Sequence, residues 1–268
     1  MASTADPLAG FTESEFTHDG TTRRVFRAGT GPAVIVIHEA PGITPEVATF
    51  ARRVVDRGYS VWMPSLFGTP GKAMSMGYAL RSVLKGCVAR EFATFALDRT
   101  GPVIGWLRAL AAHAHAESGG PGVGVVGMCF TGGFALGMMV DDEILAPVLS
   151  QPSLPFALTA KRKAAVGISD ADLEKVKERA ARGACLLGLR FTADSFVPPE
   201  RFDTLRRELG DAFIAVEIDS SPGNPDDIPK RAHSVLTNDL VDAPGHPTRA
   251  ALDRVLAFFD ERLRAPSV

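Results

Sequence analysis

Cysteine is scarce in this chain, at three in 268 residues, and the three lie far apart. An odd, widely spaced set fits neither a disulfide framework nor a zinc site, so a reducing compartment, the cytoplasm, is expected and no metal. Clustered charge is also missing: 29 Lys and Arg offset 31 Asp and Glu for a net charge of −2, with a pI of about 6.3. The basic footprint of a nucleic-acid or anionic-membrane partner is therefore absent. Long apolar runs are lacking too. Stretches such as Ala33–Ile37 and Ala184–Leu189 are far too short to span a bilayer. Met1–Gly10 carries no basic region followed by an apolar one, so no signal peptide is expected. What is present is a chain with 46% hydrophobic residues and a mean hydropathy of +0.09. That supports a substantial core, and the length suits one large α/β domain over residues 1–268.

Phe11–Phe16 and Thr21–Arg27 flank a His18-Asp19-Gly20 turn and predict an opening β-hairpin. Ala33–Ile37 is an unbroken β-branched run of the kind buried on both faces of a sheet. Similar runs follow at Tyr59–Met63, Val123–Val126, Ala184–Phe191 and Ala212–Ile218, with a weaker one at Ala146–Leu149. Helical patterns alternate with them at Pro45–Arg57, where Thr44 is placed to cap, and at Val103–Ala116, Gly132–Val140, Pro199–Leu209 and Pro247–Leu263. Strand and helix in alternation predict a mostly parallel central sheet with helices on both faces. Two excursions interrupt the pattern, over residues 65–100 and 151–183, the second with a helical run from about Asp170. Excursions of this length in a compact domain usually serve as lids or binding loops.

The segment Gly122–Gly133 brings a buried strand directly into a turn bearing Cys129, followed at once by a glycine-rich helix. A nucleophile elbow has this form: a strained turn lifts a small nucleophile above the sheet. The helix N-terminus would favour a thiolate, and the Phe130 amide would face a developing oxyanion. The usual elbow has glycine two residues after the nucleophile, whereas this one has Thr131. Gly122, Gly124 and Gly127 also spell G-x-G-x-x-G, but the first two fall within or before the strand, which disfavours a dinucleotide site.

Such an elbow calls for an acid and then a histidine further along the chain. Asp194 follows the strand ending at Phe191, the place of a histidine-orienting acid. His233 lies on the loop after the last strand, and its rival His246 lies against the start of the closing helix. His18, His38, His113 and His115 are less well placed.

These residues resemble the dienelactone hydrolase family, from about Phe11 to Leu263. The match is carried by G-x-C-x-x-G around Cys129, by Asp-x-Phe-Val-Pro at Asp194, by Ala-His-Ser at His233 and by His38-Glu39-Ala40-Pro41-Gly42 after the first buried strand. The resemblance implies an α/β-hydrolase fold. It also implies that Glu39 contacts the resting thiol and that the amides of Ala40 and Phe130 bind the oxyanion. A carboxylate beside a thiol would hinder a second negative charge, keeping the thiol protonated until substrate displaces it. The family's type member holds a substrate carboxylate with arginines, one of them shortly after the histidine. Here His233–Asn238 has none, which leaves Arg81, Arg90 and Arg190 as candidates.

The expected function is hydrolysis of a small ester or lactone, with an anionic substrate allowed, through a Cys-His-Asp triad and an acyl-enzyme. No cofactor is implied. An acyltransferase or C–C hydrolase using the same triad, and a non-catalytic binding module on the same fold, are the alternatives.

Overall fold

Alternate residues of Ala33–Ile37 enter opposite core layers, as expected of a strand covered on both sides. Ala33, Ile35 and Ile37 pack with Leu107 and Phe134, while Val34 and Val36 pack with Phe50 and Phe259. A computed structural model describes residues 6–75, 101–154 and 159–264. Its strands are β1 (Thr12–His18), β2 (Thr21–Ala28), β3 (Ala33–Ile37), β4 (Ser60–Pro64), β5 (Val123–Met128), β6 (Ile144–Ser150), β7 (Leu186–Phe191) and β8 (Phe213–Ile218). They form one sheet in the order β1-β2-β4-β3-β5-β6-β7-β8. The β1–β2 and β2–β4 pairs are antiparallel and the rest parallel.

The described helices are α1 (Pro45–Asp56), α2 (Pro102–Ser118), α3 (Gly132–Met138), the short α4 (Ala160–Ala164), α5 (Asp170–Ala181), α6 (Pro199–Leu209) and α7 (Pro247–Leu263). Buried side chains of α1 and α7 supply one core layer, and those of α2, α3, α5 and α6 supply the other. This is the α/β-hydrolase arrangement. Thr44 caps α1, its hydroxyl accepting from the Val47 amide at 3.4 Å, with Pro45 at the first helical position. Among the described residues no helix is long and apolar enough to cross a membrane.

Strand boundaries depart from the expected ones where tertiary contacts take over. Ala184 does not extend β7, because its amide closes the end of α5 on the Arg179 carbonyl at 3.1 Å. The weak run at Ala146–Leu149 is a full central strand, β6, although Pro147 withholds an amide from the ladder. A register shift at Val123/Gly124 of neighbouring β5 accompanies it. Of the two excursions, residues 76–100 lie outside the described residues, and so do Arg81 and Arg90. The second holds α4 and α5, and α5 packs against α3 and α6.

Strand order reverses at β3, whose neighbours are β4 on one side and β5 on the other. In open α/β sheets the carboxyl ends of the strands at such a reversal leave a crevice where ligands bind. The loops after β3, β5, β6, β7 and β8 carry Glu39, Cys129, Ser153, Asp194 and His233 respectively.

Candidate active site

Cys129 sits at the carboxyl end of β5 with φ of +57°, a left-handed conformation that a residue with a Cβ adopts only when its surroundings impose it. Residues 129–131 form one 3-10 turn that leads into α3. Gly127 must lack a side chain, because a Cβ there would lie 2.1 Å from the Thr131 carbonyl oxygen. Thr131, the departure from the usual elbow glycine, is fully buried. Its hydroxyl accepts from the Met128 amide at 2.8 Å and lies 3.2 Å from the Ile37 carbonyl, joining the elbow to the end of β3.

The Cys129 sulfur lies 3.1 Å from the hydroxyl of Ser153, and the Ser153 amide donates to the Cys129 carbonyl at 3.1 Å. Ser153 is buried on the loop after β6. That loop is fastened by Arg201, a guanidinium only 1% exposed. Arg201 donates to the carbonyls of Ala165 (2.7 Å), Pro152 (2.9 Å), Phe196 (3.2 Å) and Arg162 (3.3 Å). Burial pulls its pKa down to about 10, against the opposing charges of Asp194 and Glu200.

Asp194 and His233 meet as the chain order suggested, with Nδ1 of His233 2.6 Å from Oδ2 of Asp194. The other carboxylate oxygen of Asp194 accepts from the Phe196 amide at 2.9 Å, which fixes its plane. The Asp194 side chain is 3% exposed and that of His233 is 20% exposed. Burial opposes a charged His233. The nearby Cys129 and the hydrogen bond to Asp194 outweigh it and hold His233 well above the usual imidazole range. The backbone under His233 is set by Asp239, whose Oδ2 accepts from the amides of both His233 and Ser234 at 2.8 Å.

Glu39 is 2% exposed. It accepts from Ser234 Oγ (2.8 Å), from Gln151 Nε2 (3.1 Å) and, through its other oxygen, from Thr237 Oγ1. Burial raises its pKa, and Thr237, the His233 charge, Ser234 and Gln151 only partly counter this. The resemblance implied that Glu39 contacts the resting thiol. Among the described residues no hydrogen bond joins Glu39 to Cys129; three donors from two other loops hold the carboxylate. The Ala40 amide follows directly and donates to no acceptor among the described residues. The Phe130 amide belongs to the elbow turn.

The other candidates have structural work. His246 caps α7, accepting from the Thr248 amide at 3.2 Å. His38 is neutral: burial lowers its pKa to about 4, Nδ1 lies 2.9 Å from the Glu39 carbonyl, and Nε2 accepts from the Leu66 amide. Arg190 is committed to Glu217 at 2.7 Å and to the Val197 carbonyl at 2.8 Å, so it does not face a substrate carboxylate. Sequence reasoning missed Ser153, Gln151, Asp239 and Arg201. Only Asp239, an Asp shortly after the histidine and able to accept from turn amides, left a local signal.

The model of the dienelactone hydrolase family matches residues 22–261. No curated protein matches the chain. Among solved structures, a provisional dienelactone hydrolase from Klebsiella pneumoniae subsp. pneumoniae aligns with a TM-score of 0.65 at 17% identity, over 94% of this chain and 98% of its own. A dienelactone hydrolase from Anabaena variabilis aligns with 0.59 at 16% identity, over 95% and 100%. A cold-adapted esterase from an Arctic intertidal metagenomic library aligns with 0.54 at 16% identity, over 96% of each chain. At such identities these three likenesses show the fold.

Proposed function

Because the chain belongs to the dienelactone hydrolase family and is an ester or lactone hydrolase, we propose that Cys129, His233 and Asp194 perform the cleavage through an acyl-enzyme. The observation that carries this reading is the 2.6 Å bond from His233 to Asp194 beside an elbow cysteine at positive φ. With Nδ1–H donated to Asp194, Nε2 of His233 is the ring nitrogen left to take the thiol proton. The sulfur adds to the substrate carbonyl carbon, and the oxygen becomes an oxyanion held by the amides of Ala40 and Phe130. On collapse the alkoxide leaves with the proton from Nε2, and the acyl group stays on Sγ as a thioester. Water then gives a proton to Nε2, its oxygen adds to the thioester carbonyl, and the thiolate departs and takes the proton back from Nε2, which restores the enzyme as the acid leaves.

For a carboxylate-bearing substrate, Arg81 and Arg90 are the cations proposed to meet it. Cys129→Ala should abolish nearly all turnover of a small activated ester such as nitrophenyl acetate, measured spectrophotometrically with the variant confirmed folded. Wild-type rates in that variant would end the assignment.

A further inference from the structure

The mechanism above assigns no part to Ser153, whose hydroxyl lies against the proposed nucleophile. Ser153 Oγ is 3.1 Å from Cys129 Sγ and has no other hydrogen bond among the described residues. Its residue is 8% exposed, so bulk water does not compete freely for it. Two contacts set its position: its own amide on the Cys129 carbonyl, and Arg201 on the carbonyl of the preceding Pro152. The peptide group that leads into Ser153 is therefore held at both its carbonyl and its amide, with the hydroxyl beside the sulfur.

We propose that Ser153 is a further catalytic residue, whose hydroxyl donates a hydrogen bond to the Cys129 sulfur in its thiolate form. This rests on Cys129 being the nucleophile. A neutral thiol can donate to Oγ, but once its proton has gone to Nε2 of His233 the sulfur can only accept. The hydroxyl then turns its proton to sulfur and keeps it, so no bond to Ser153 forms or breaks. A hydrogen bond to a charged acceptor is about twice as strong as one between neutral groups, so the contact favours the attacking form over the resting thiol. When the acyl group arrives, the sulfur loses its charge and the bond weakens. When water expels the thiolate, the bond is regained. Ser153 thus favours both formation of the nucleophile and its departure.

The test follows iodoacetamide alkylation against pH in the wild type, Ser153→Ala and Ser153→Thr. It is scored by mass spectrometry on the peptide holding Cys129, because the chain has two further cysteines among its three. Loss of the donor should move the Ser153→Ala profile to higher pH by about one unit, the size of one charge-assisted hydrogen bond. Ser153→Thr, which keeps a hydroxyl, should stay with the wild type. A Ser153→Ala profile superposed on the wild type, or moved to lower pH as loss of an acceptor for the thiol would give, overturns the proposal. If Ser153→Ala does not fold, Ser153→Gly is scored by the same rule. Turnover surviving in Cys129→Ala removes premise and inference together. Cys129-dependent turnover with superposed profiles removes the inference alone.

Discussion

His233 is surrounded by influences that disagree. Burial disfavours the imidazolium, while the neighbouring sulfur and the Asp194 carboxylate favour it, and the net result lies well above the ordinary value. A histidine whose folded pKa is raised contributes stability that is complete below about pH 6.5 and lost as pH climbs through the folded value. The sulfur is the largest of the raising influences, so removing it should lower the midpoint even with Asp194 intact. Histidine proton resonances followed through a titration should show the His233 midpoint falling in Cys129→Ala relative to the wild type. An unchanged midpoint would mean that the sulfur does not act on the ring. The residues that could be named from sequence here, Cys129, Asp194 and His233, were legible because each follows a recognisable strand. Ser153 was not. Its meaning depends on a sulfur 24 residues away, and a serine after a proline in a loop gives no local sign of that.

The elbow shows what a single element owes to its neighbours. Strand, turn and helix were all legible from Gly122–Gly133, since glycine and β-branched residues alternate where close packing demands it. The choice of threonine at 131 was legible only as an irregularity. Its hydroxyl reaches a carbonyl 94 residues earlier in the chain, at the end of β3, and it satisfies the buried Met128 amide. Thr131→Val keeps the shape and removes the acceptor, leaving that amide unpaired at a cost of about 1–3 kcal/mol. Equilibrium urea unfolding measures this, and a variant as stable as the wild type would show that water replaces the hydroxyl. Esterase turnover should fall with it, because the same hydroxyl holds the turn that presents Cys129.

At the scale of the whole molecule, Glu39 joins loops that follow three different strands. It begins the loop after β3, receives Gln151 from the end of β6, and receives Ser234 and Thr237 from the loop after β8. Sequence showed a carboxylate at the mouth of the sheet but not its partners, because strand order, not chain order, decides which loops become neighbours. Arg201 escaped notice for the same reason, its acceptors being backbone carbonyls gathered only in the folded chain. Glu39→Ala strands three buried donors and should cost about 3 kcal/mol or more in chemical unfolding, with Glu39→Gln losing less because its amide oxygen still accepts. Equal stability of Glu39→Ala and the wild type would refute the bracing role. Glu39 braces the histidine loop and makes no hydrogen bond to the sulfur, so the scaffold and the nucleophile are separable parts. Residue 129 is then an exchangeable cartridge. A lineage could trade thiol for hydroxyl there, and retune its reactivity through position 153, without redesigning the frame that carries the base.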